Sequence, residues 1–270
     1  MRGRARLLLL LLALALTARA ADDRKSGAEF MSPSTQAMQR DDTLNPAMLW
    51  VSGGEAWWNG VAGRSGKSCA SCHGTAPSSM RGVAARYPAF DAGSQTVVNL
   101  AGRINLCRTR QQQAPALRLE SEELLSLESF VAMQSRGLPQ APAPDAQTVA
   151  AAQRGRLLYT QRIGQLNLSC AQCHDQRWGQ RLAGSTIPQA HAAAYPIYRL
   201  EWQAVGSLQR RLRNCMSGVR AALPPYGAPQ LVELEAYHNE AIYSLHEGVA
   251  GVQEISEDRC RRTFSRSEER

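Results

Sequence analysis

The sequence predicts a mainly α-helical protein built from two tandem copies of one unit, and three observations carry that expectation. A hexapeptide recurs with one change, as "SCASCH" at 68–73 and "SCAQCH" at 169–174. Its surroundings recur in the same order. Gly54 and Gly155 each stand fifteen residues before the first cysteine of their hexapeptide, "RINLC" ending at Cys107 parallels "RLRNC" ending at Cys215, and "LESF" from Leu127 echoes "LEAY" from Leu234. Four matches in one order read as a duplication. Finally, "ESEELLSLESFVAMQ" and "PQLVELEAYHNEAIYSLHEG" space their apolar residues at three and four, as amphipathic helices do, while alternating β-branched runs are few.

The chain begins with Arg2, Arg4 and Arg6, an apolar run from Leu7 to Leu16, and small residues at Ala18 and Ala20. That is the pattern of a secretory signal peptide, residues 1–20, cleaved near Ala20. Ten apolar residues are too few to span a bilayer, which takes about 20, and no later run is longer. An exported, periplasmic protein without a membrane span is expected. Cleavage removes four arginines and no acids, so the formal charge falls from +8 to about +4. Nucleic-acid binding is therefore a poor account of the basic composition.

Asn45 followed by Pro46 reads as a helix start, opening "AMLWVSGGEAWW" and the first unit, 45–136. The segment "SRGLPQAPAPDAQ" supplies a proline-rich linker, 137–146, whose prolines favour extended chain. The second unit runs 147–252. A charged tail follows, 253–270, carrying Cys260 and no apolar periodicity. Each unit should comprise a short helix, a CxxCH turn, a loop-rich middle and a closing helix, with the helix aromatics in the core.

CxxCH is the attachment signature of c-type haem. Two thiols add across the two vinyl groups on one porphyrin edge, two intervening residues bridge that width, and the adjacent histidine lies under the iron. With seven cysteines and five histidines in 270 residues, about 0.003 such strings are expected by chance. Two tandem cytochrome c-like haem domains follow, with two covalent haem c groups on Cys69/Cys72 and Cys170/Cys173, and His73 and His174 as proximal iron ligands. The competing readings are a zinc site shared by the two CxxC pairs and a redox disulfide within each pair.

For the far side of each iron the methionine candidates are Met80, Met133 and Met216. Met80 is too near His73 to wrap the ring, Met133 falls in a core pattern, and Met216 has no counterpart in the first copy. Cys107 and Cys215 do match each other, 34 and 41 residues beyond their histidines. Duplicated spacing therefore points to distal cysteine. A thiolate ligand favours ferric iron and a low potential. The bland alternative is a disulfide joining leftover cysteines among Cys107, Cys215 and Cys260. Around Cys215 stand Arg210, Arg211, Arg213 and Arg220; on a helix Arg211 lies one turn before the thiol. Positive charge there would favour the thiolate over a free thiol of pKa about 8.5 and attract a small anion. Arg210, Arg213 and Arg220 are better read as pairing with haem propionates or facing solvent. Arg211 repeats the spacing of Arg103, which suits either a shared structural role or substrate capture. His191, His238 and His246 have no repeated context.

Taken together, the two CxxCH sites, the RxxxC segment after each, the leader and the length resemble the SoxA family, the dihaem cytochrome subunits of SoxAX, L-cysteine S-thiosulfotransferase. The resemblance spans the mature chain, and "RLRNCMSG" is its most specific part. It implies oxidative conjugation of thiosulfate to a cysteine of the carrier protein SoxY, with electrons passing to a cytochrome. It further implies iron ligation by His73 with Cys107 and by His174 with Cys215, a catalytic Cys215 persulfide, Arg211 as thiosulfate ligand, and a small monohaem partner, SoxX. The alternatives from other classes are a dihaem electron-transfer cytochrome without sulfur chemistry and a dihaem peroxidase.

Overall fold

The computed structural model describes residues 25–182, 184–243 and 248–249, with side chains through residue 240. The expected leader, the charged tail with Cys260, and His246 lie outside the described residues. A 3-10 turn, Gly27–Phe30, and helix α1 (Pro33–Arg40) precede the first unit. Ser32 accepts from the Thr35 amide, and Pro33 sits where an amide would have no helical partner. With Ala37 and Met38 its main apolar residues, α1 carries little periodic signal in the sequence.

In the first unit, α2 (Ala47–Asn59), α3 (Cys69–His73) and α4 (Ala76–Ser79) lead to the hairpin β1 (Ala89–Asp91) and β2 (Thr96–Val98), then α5 (Leu100–Cys107) and α6 (Glu122–Met133). Asn45 serves as expected at the start of α2, its Oδ1 accepting from the Ala47 amide at 3.0 Å. Strand β3 (Leu138–Pro139) follows. The second unit repeats the plan with α7 (Ala146–Thr160), α8 (Cys170–His174), a small added hairpin β4 (Arg181–Leu182) and β5 (Ser185–Thr186), the hairpin β6 (Ile197–Arg199) and β7 (Ala204–Gly206), α9 (Leu208–Gly218) and α10 (Pro229–Tyr243). Strand β8 (Gly248–Val249) returns to pair antiparallel with β3.

The two units agree in detail. Both hexapeptides form one-turn helices, capped by Ser68 and Ser169 through reciprocal bonds with Ser71 and Gln172. In both units a hairpin of matching register precedes the cysteine-bearing helix, Asp91 facing Thr96 in the first and Arg199 facing Ala204 in the second. Asn99 and Ser207 then cap α5 and α9. The middle of each unit is thus a hairpin and a helix rather than loop, because these short segments gain their order from caps and cross-strand pairing rather than from a long apolar period.

The opening and closing helices of each unit cross at a glycine. A Cβ at Gly54 would sit 2.1 Å from the Ser126 carbonyl oxygen, and one at Gly155 would sit 1.9 Å from that of Glu233. Only a residue without a side chain permits backbones to approach so closely. Around the first crossing Trp58, Leu124, Leu127, Phe130 and Val131 form the larger core; Tyr159, Leu212, Met216, Leu231 and Leu234 form the second. Each buried leucine contributes roughly 2 kcal/mol of transfer free energy.

Polar ties hold the units together: Asn99 Nδ2 donates to Glu235 Oε1 at 3.2 Å, Asn239 Nδ2 to the Tyr87 carbonyl at 2.7 Å, and Arg210 Nε to Glu120 Oε2 at 2.5 Å. Between the units lies a cavity of about 90 Å³. Its walls come in repeated pairs, Tyr87 with Tyr195, Asn99 with Ser207 and Glu128 with Glu235, so it sits where the two copies face each other. Among the described residues no helix is long and apolar enough to cross a membrane.

Candidate haem sites and the Cys215 corner

In the second unit α8 carries Cys170, Cys173 and His174 on a single helical turn. The His174 Nδ1 lies 2.7 Å from the Pro188 carbonyl oxygen, which fixes Nδ1 as the protonated nitrogen and leaves Nε2 free as a metal ligand. Burial, and secondarily the charge of Arg211, holds the imidazole below its ordinary pKa, in the neutral form that ligates. Cys170 is pushed up to about 11, first by burial and then by the neighbouring charge of Cys215. Helix α9 therefore presents Cys215 to the attachment turn.

The first unit gathers the same groups in a more open setting. Cys69 is half-buried and Cys72 and His73 are exposed. The His73 ring centroid is 5.8 Å from that of Trp58, whose Nε1 donates to the Gly74 carbonyl at 3.1 Å. Burial raises Cys69, opposed by Arg108, and burial raises Cys107, opposed by Arg103 and Arg110; Cys107 also feels the charge of Cys72. Cys107 and Cys215 are thus each within electrostatic reach of a cysteine of the hexapeptide in their own unit. Cys107 ends its α-helix and is followed by a π-helical turn, Arg108–Gln112, whereas Cys215 lies inside α9.

This donor set fits haem c. All six described cysteines are unbonded to one another, so neither CxxC closes a disulfide and Cys107 and Cys215 are not joined. The two CxxC pairs stay in separate units, and among the described residues no three His, Cys, Asp or Glu gather to hold a bare metal ion. Met80 and Met133 pack against the first core and Met216 lies in the second, which leaves Cys107 and Cys215 as the repeated sulfur atoms near the attachment turns. His238, fully buried and edge-on to Tyr159, is lowered to about 4, first by burial, and serves the core.

The arginines around Cys215 divide. Arg210 pairs with Glu120 and lies over Trp202, its carbon 5.3 Å from the ring centroid. Arg213 donates to the Pro224 carbonyl and covers Tyr226, and Arg220 is exposed. Arg211 makes a long approach to Glu201, 3.9 Å, with its own side chain 29% exposed. Around it stand residues that spacing alone did not single out: Tyr195, Arg199 and Glu201. The pairs "YP" at 87–88 and 195–196 would have aligned this hairpin with its counterpart.

The SoxA/TsdA cytochrome c domain family matches residues 53–140. The chain is 35% identical over 217 residues to the L-cysteine S-thiosulfotransferase subunit SoxA of Pseudaminobacter salicylatoxidans, covering 80% of this chain and 76% of that one. The chain belongs to the SoxA family. It is also 33% identical over 216 residues to the SoxA subunit of Rhodovulum sulfidophilum, with 80% and 75% coverage. The crystal structure of SoxXA from P. pantotrophus matches with a TM-score of 0.79 at 30% identity over 90% of both chains. As a SoxA-family cytochrome the chain is a mainly α protein carrying covalently bound haem c.

Proposed function

We propose that this chain is the dihaem subunit that couples thiosulfate oxidatively to a cysteine of a SoxY-type carrier protein, with Cys215 as the reactive centre. The observation that carries this reading is the corner formed by Cys215 and Arg211: a guanidinium with one long ion pair stands a helical turn ahead of a thiol presented to a haem-attachment turn. Names borne by the relatives supply the reaction class.

In this reading Cys69 and Cys72 hold one haem and Cys170 and Cys173 the other. His73 and Cys107 ligate the first iron, His174 and Cys215 the second, in domains bounded at 45–136 and 147–252 with a linker at 137–146. When bound, haem c supplies an electron-accepting path and a ferric-favouring site for thiolate. Arg211 holds the sulfonate end of thiosulfate by charge-assisted hydrogen bonds. Cys215, carrying one extra sulfur as a persulfide, forms a bond from that terminal sulfur to the sulfane sulfur of thiosulfate; the coupling releases a proton and two electrons, which pass to a cytochrome acceptor. The thiolate of the carrier then attacks the sulfane sulfur, taking the sulfonate-bearing group and returning the persulfide, as in ordinary thiol exchange. Export to the periplasm, a SoxX-like monohaem partner and a SoxY-type substrate belong to the same proposal.

Peptide mass mapping of haem-loaded protein matured in the periplasm, without reductant, tests it. The fragment containing Cys215 should be heavier by one sulfur atom. An unmodified thiol, unchanged after thiosulfate and an electron acceptor, would instead favour a dihaem electron carrier.

A further inference from the structure

Arg199 occupies, in β6, the place that Asp91 occupies in β1: each closes the first strand of the hairpin preceding the cysteine-bearing helix, with the same register. The exchange reverses the charge beside an equivalent arginine. In the first unit Asp91 accepts from Arg103 at 2.9 Å and from Arg110 at 2.9 Å, and its side chain is only 6% exposed. Both guanidinium groups are committed there. In the second unit no carboxylate stands at that position. The acid that meets these arginines is Glu201, on the hairpin turn, whose side chain is 50% exposed; Arg199 Nε holds its Oε1 at 2.9 Å, and Arg211 reaches the same oxygen only at 3.9 Å.

We propose that Arg199 is a second guanidinium of the thiosulfate site, and that Glu201 is its resting counter-ion, displaced when the dianion binds. This inference rests on the assignment of Cys215 and Arg211 above. Three features support it. Arg199 and Arg211 converge on one oxygen, Glu201 Oε1, at 2.9 and 3.9 Å, and Arg211 stands one helical turn ahead of Cys215, so the two guanidinium groups lie side by side at the proposed site. Arg199 is held from behind, its carbon 5.3 Å from the Trp202 ring centroid, so its orientation costs little further ordering on binding. Glu201 is exposed and meets both cations through one oxygen, and such a solvent-exposed pair is weaker than the contacts a dianion gains from two fork-shaped donors.

The test uses the haem-loaded protein in complex with its cytochrome partner and thiosulfate itself as probe. Calorimetric binding to the oxidised complex without electron acceptor is measured beside steady-state coupling. Arg199→Gln should raise both Kd and KM about tenfold or more, the loss expected for one charge-assisted contact, with kcat and the haem spectrum nearly unchanged. Arg199→Lys should recover part of the affinity, and Glu201→Gln should move Kd and KM the opposite way, downward. Unchanged Kd and KM in Arg199→Gln, or weakened binding in Glu201→Gln, overturns the proposal. Should Arg199→Gln fail to mature, the opposed directions of Arg199→Lys and Glu201→Gln decide. Wild-type protein that neither binds nor couples thiosulfate would defeat the parent reading instead, and is distinguishable from either result.

Discussion

Arg103 and Arg211 stand at equivalent places, each four residues ahead of a cysteine on the helix that follows a three-residue hairpin strand. Arg103 is tied down by a buried carboxylate that it shares with Arg110, and the phenol of Tyr87 faces it. Arg211 has no buried carboxylate: Arg199 stands at that position, the exposed Glu201 approaches only to 3.9 Å, and the matching phenol, Tyr195, feels both Arg199 and Arg211. One scaffold thus sets two guanidinium groups around a carboxylate in both corners, buried and close to both arginines in the first, exposed and distant from Arg211 in the second. The shared parts, the glycine crossings and capped hexapeptides, serve both haem sites. The difference lies in whether the arginine four residues ahead of the cysteine is held by a buried carboxylate or stands near an exposed one, and in the proposed function the latter is what an anion would meet.

The largest effect should separate the two distal cysteines. Cys215→Ser should abolish thiosulfate coupling, by roughly a thousandfold or more as for loss of a nucleophile, with both haems still attached by mass. Cys107→Ser should retain most of the coupling rate. Equal loss in both would mean that the two corners are functionally alike, and the comparison would break.

A crossed pair of substitutions sharpens it. Arg211→Gln should raise KM for thiosulfate about tenfold and leave the melting temperature nearly unchanged. Arg103→Gln should do the reverse, lowering the melting temperature while KM stays put, because it withdraws a partner from buried Asp91. Asp91 is held down to about 2, chiefly by the Ser94 hydroxyl and also by Arg110 and Arg103. A carboxyl depressed in this way contributes stability above about pH 4 that is lost as pH falls toward 2. The wild-type chain should show that acid-side loss, and Arg103→Gln should show less of it.

The smallest effect concerns the surface where the two copies meet. Glu128 and Glu235, equivalent residues of α6 and α10, line one cavity. Burial first, then carboxylate neighbours, pushes Glu128 up to about 8; burial pushes Glu235 up to about 7 against the hydrogen bond from Asn99. The folded chain therefore binds more protons than the unfolded one between about pH 4.5 and 8, and this pair costs stability progressively as pH rises through that interval. Glu128→Gln should raise the melting temperature at pH 8.5 and change it little at pH 5. An equal shift at both pH values would remove the carboxyl from the account.

Much of this was legible beforehand. Attachment chemistry demands two thiols and a histidine at contiguous spacing, so the hexapeptides announced themselves; the closing helices α6 and α10 showed their apolar period, and Asn45 marked the start of α2. The hairpins were not legible. Strands of three residues have too little alternation to register, and the offset between the copies grows from 101 residues at the hexapeptides to 108 at the hairpins, so Asp91 and Arg199 did not align by eye. The "LESF" and "LEAY" echo was visible, but burial of its glutamates was not, since charged residues on an amphipathic helix ordinarily face water.

By itself the sequence determined the duplication, the two CxxCH motifs, the helical class and the repetition of Cys107 by Cys215, because each depends on residue type and local spacing along the chain. Tertiary structure alone decided that Arg103 meets a buried carboxylate and Arg211 an exposed one at longer range, that Met216 belongs to the core, and that two glutamates meet in one cavity. Those outcomes depend on which side chains from distant segments share a few ångströms of space, and electrostatic and packing energies are set by that distance and burial rather than by order in the chain.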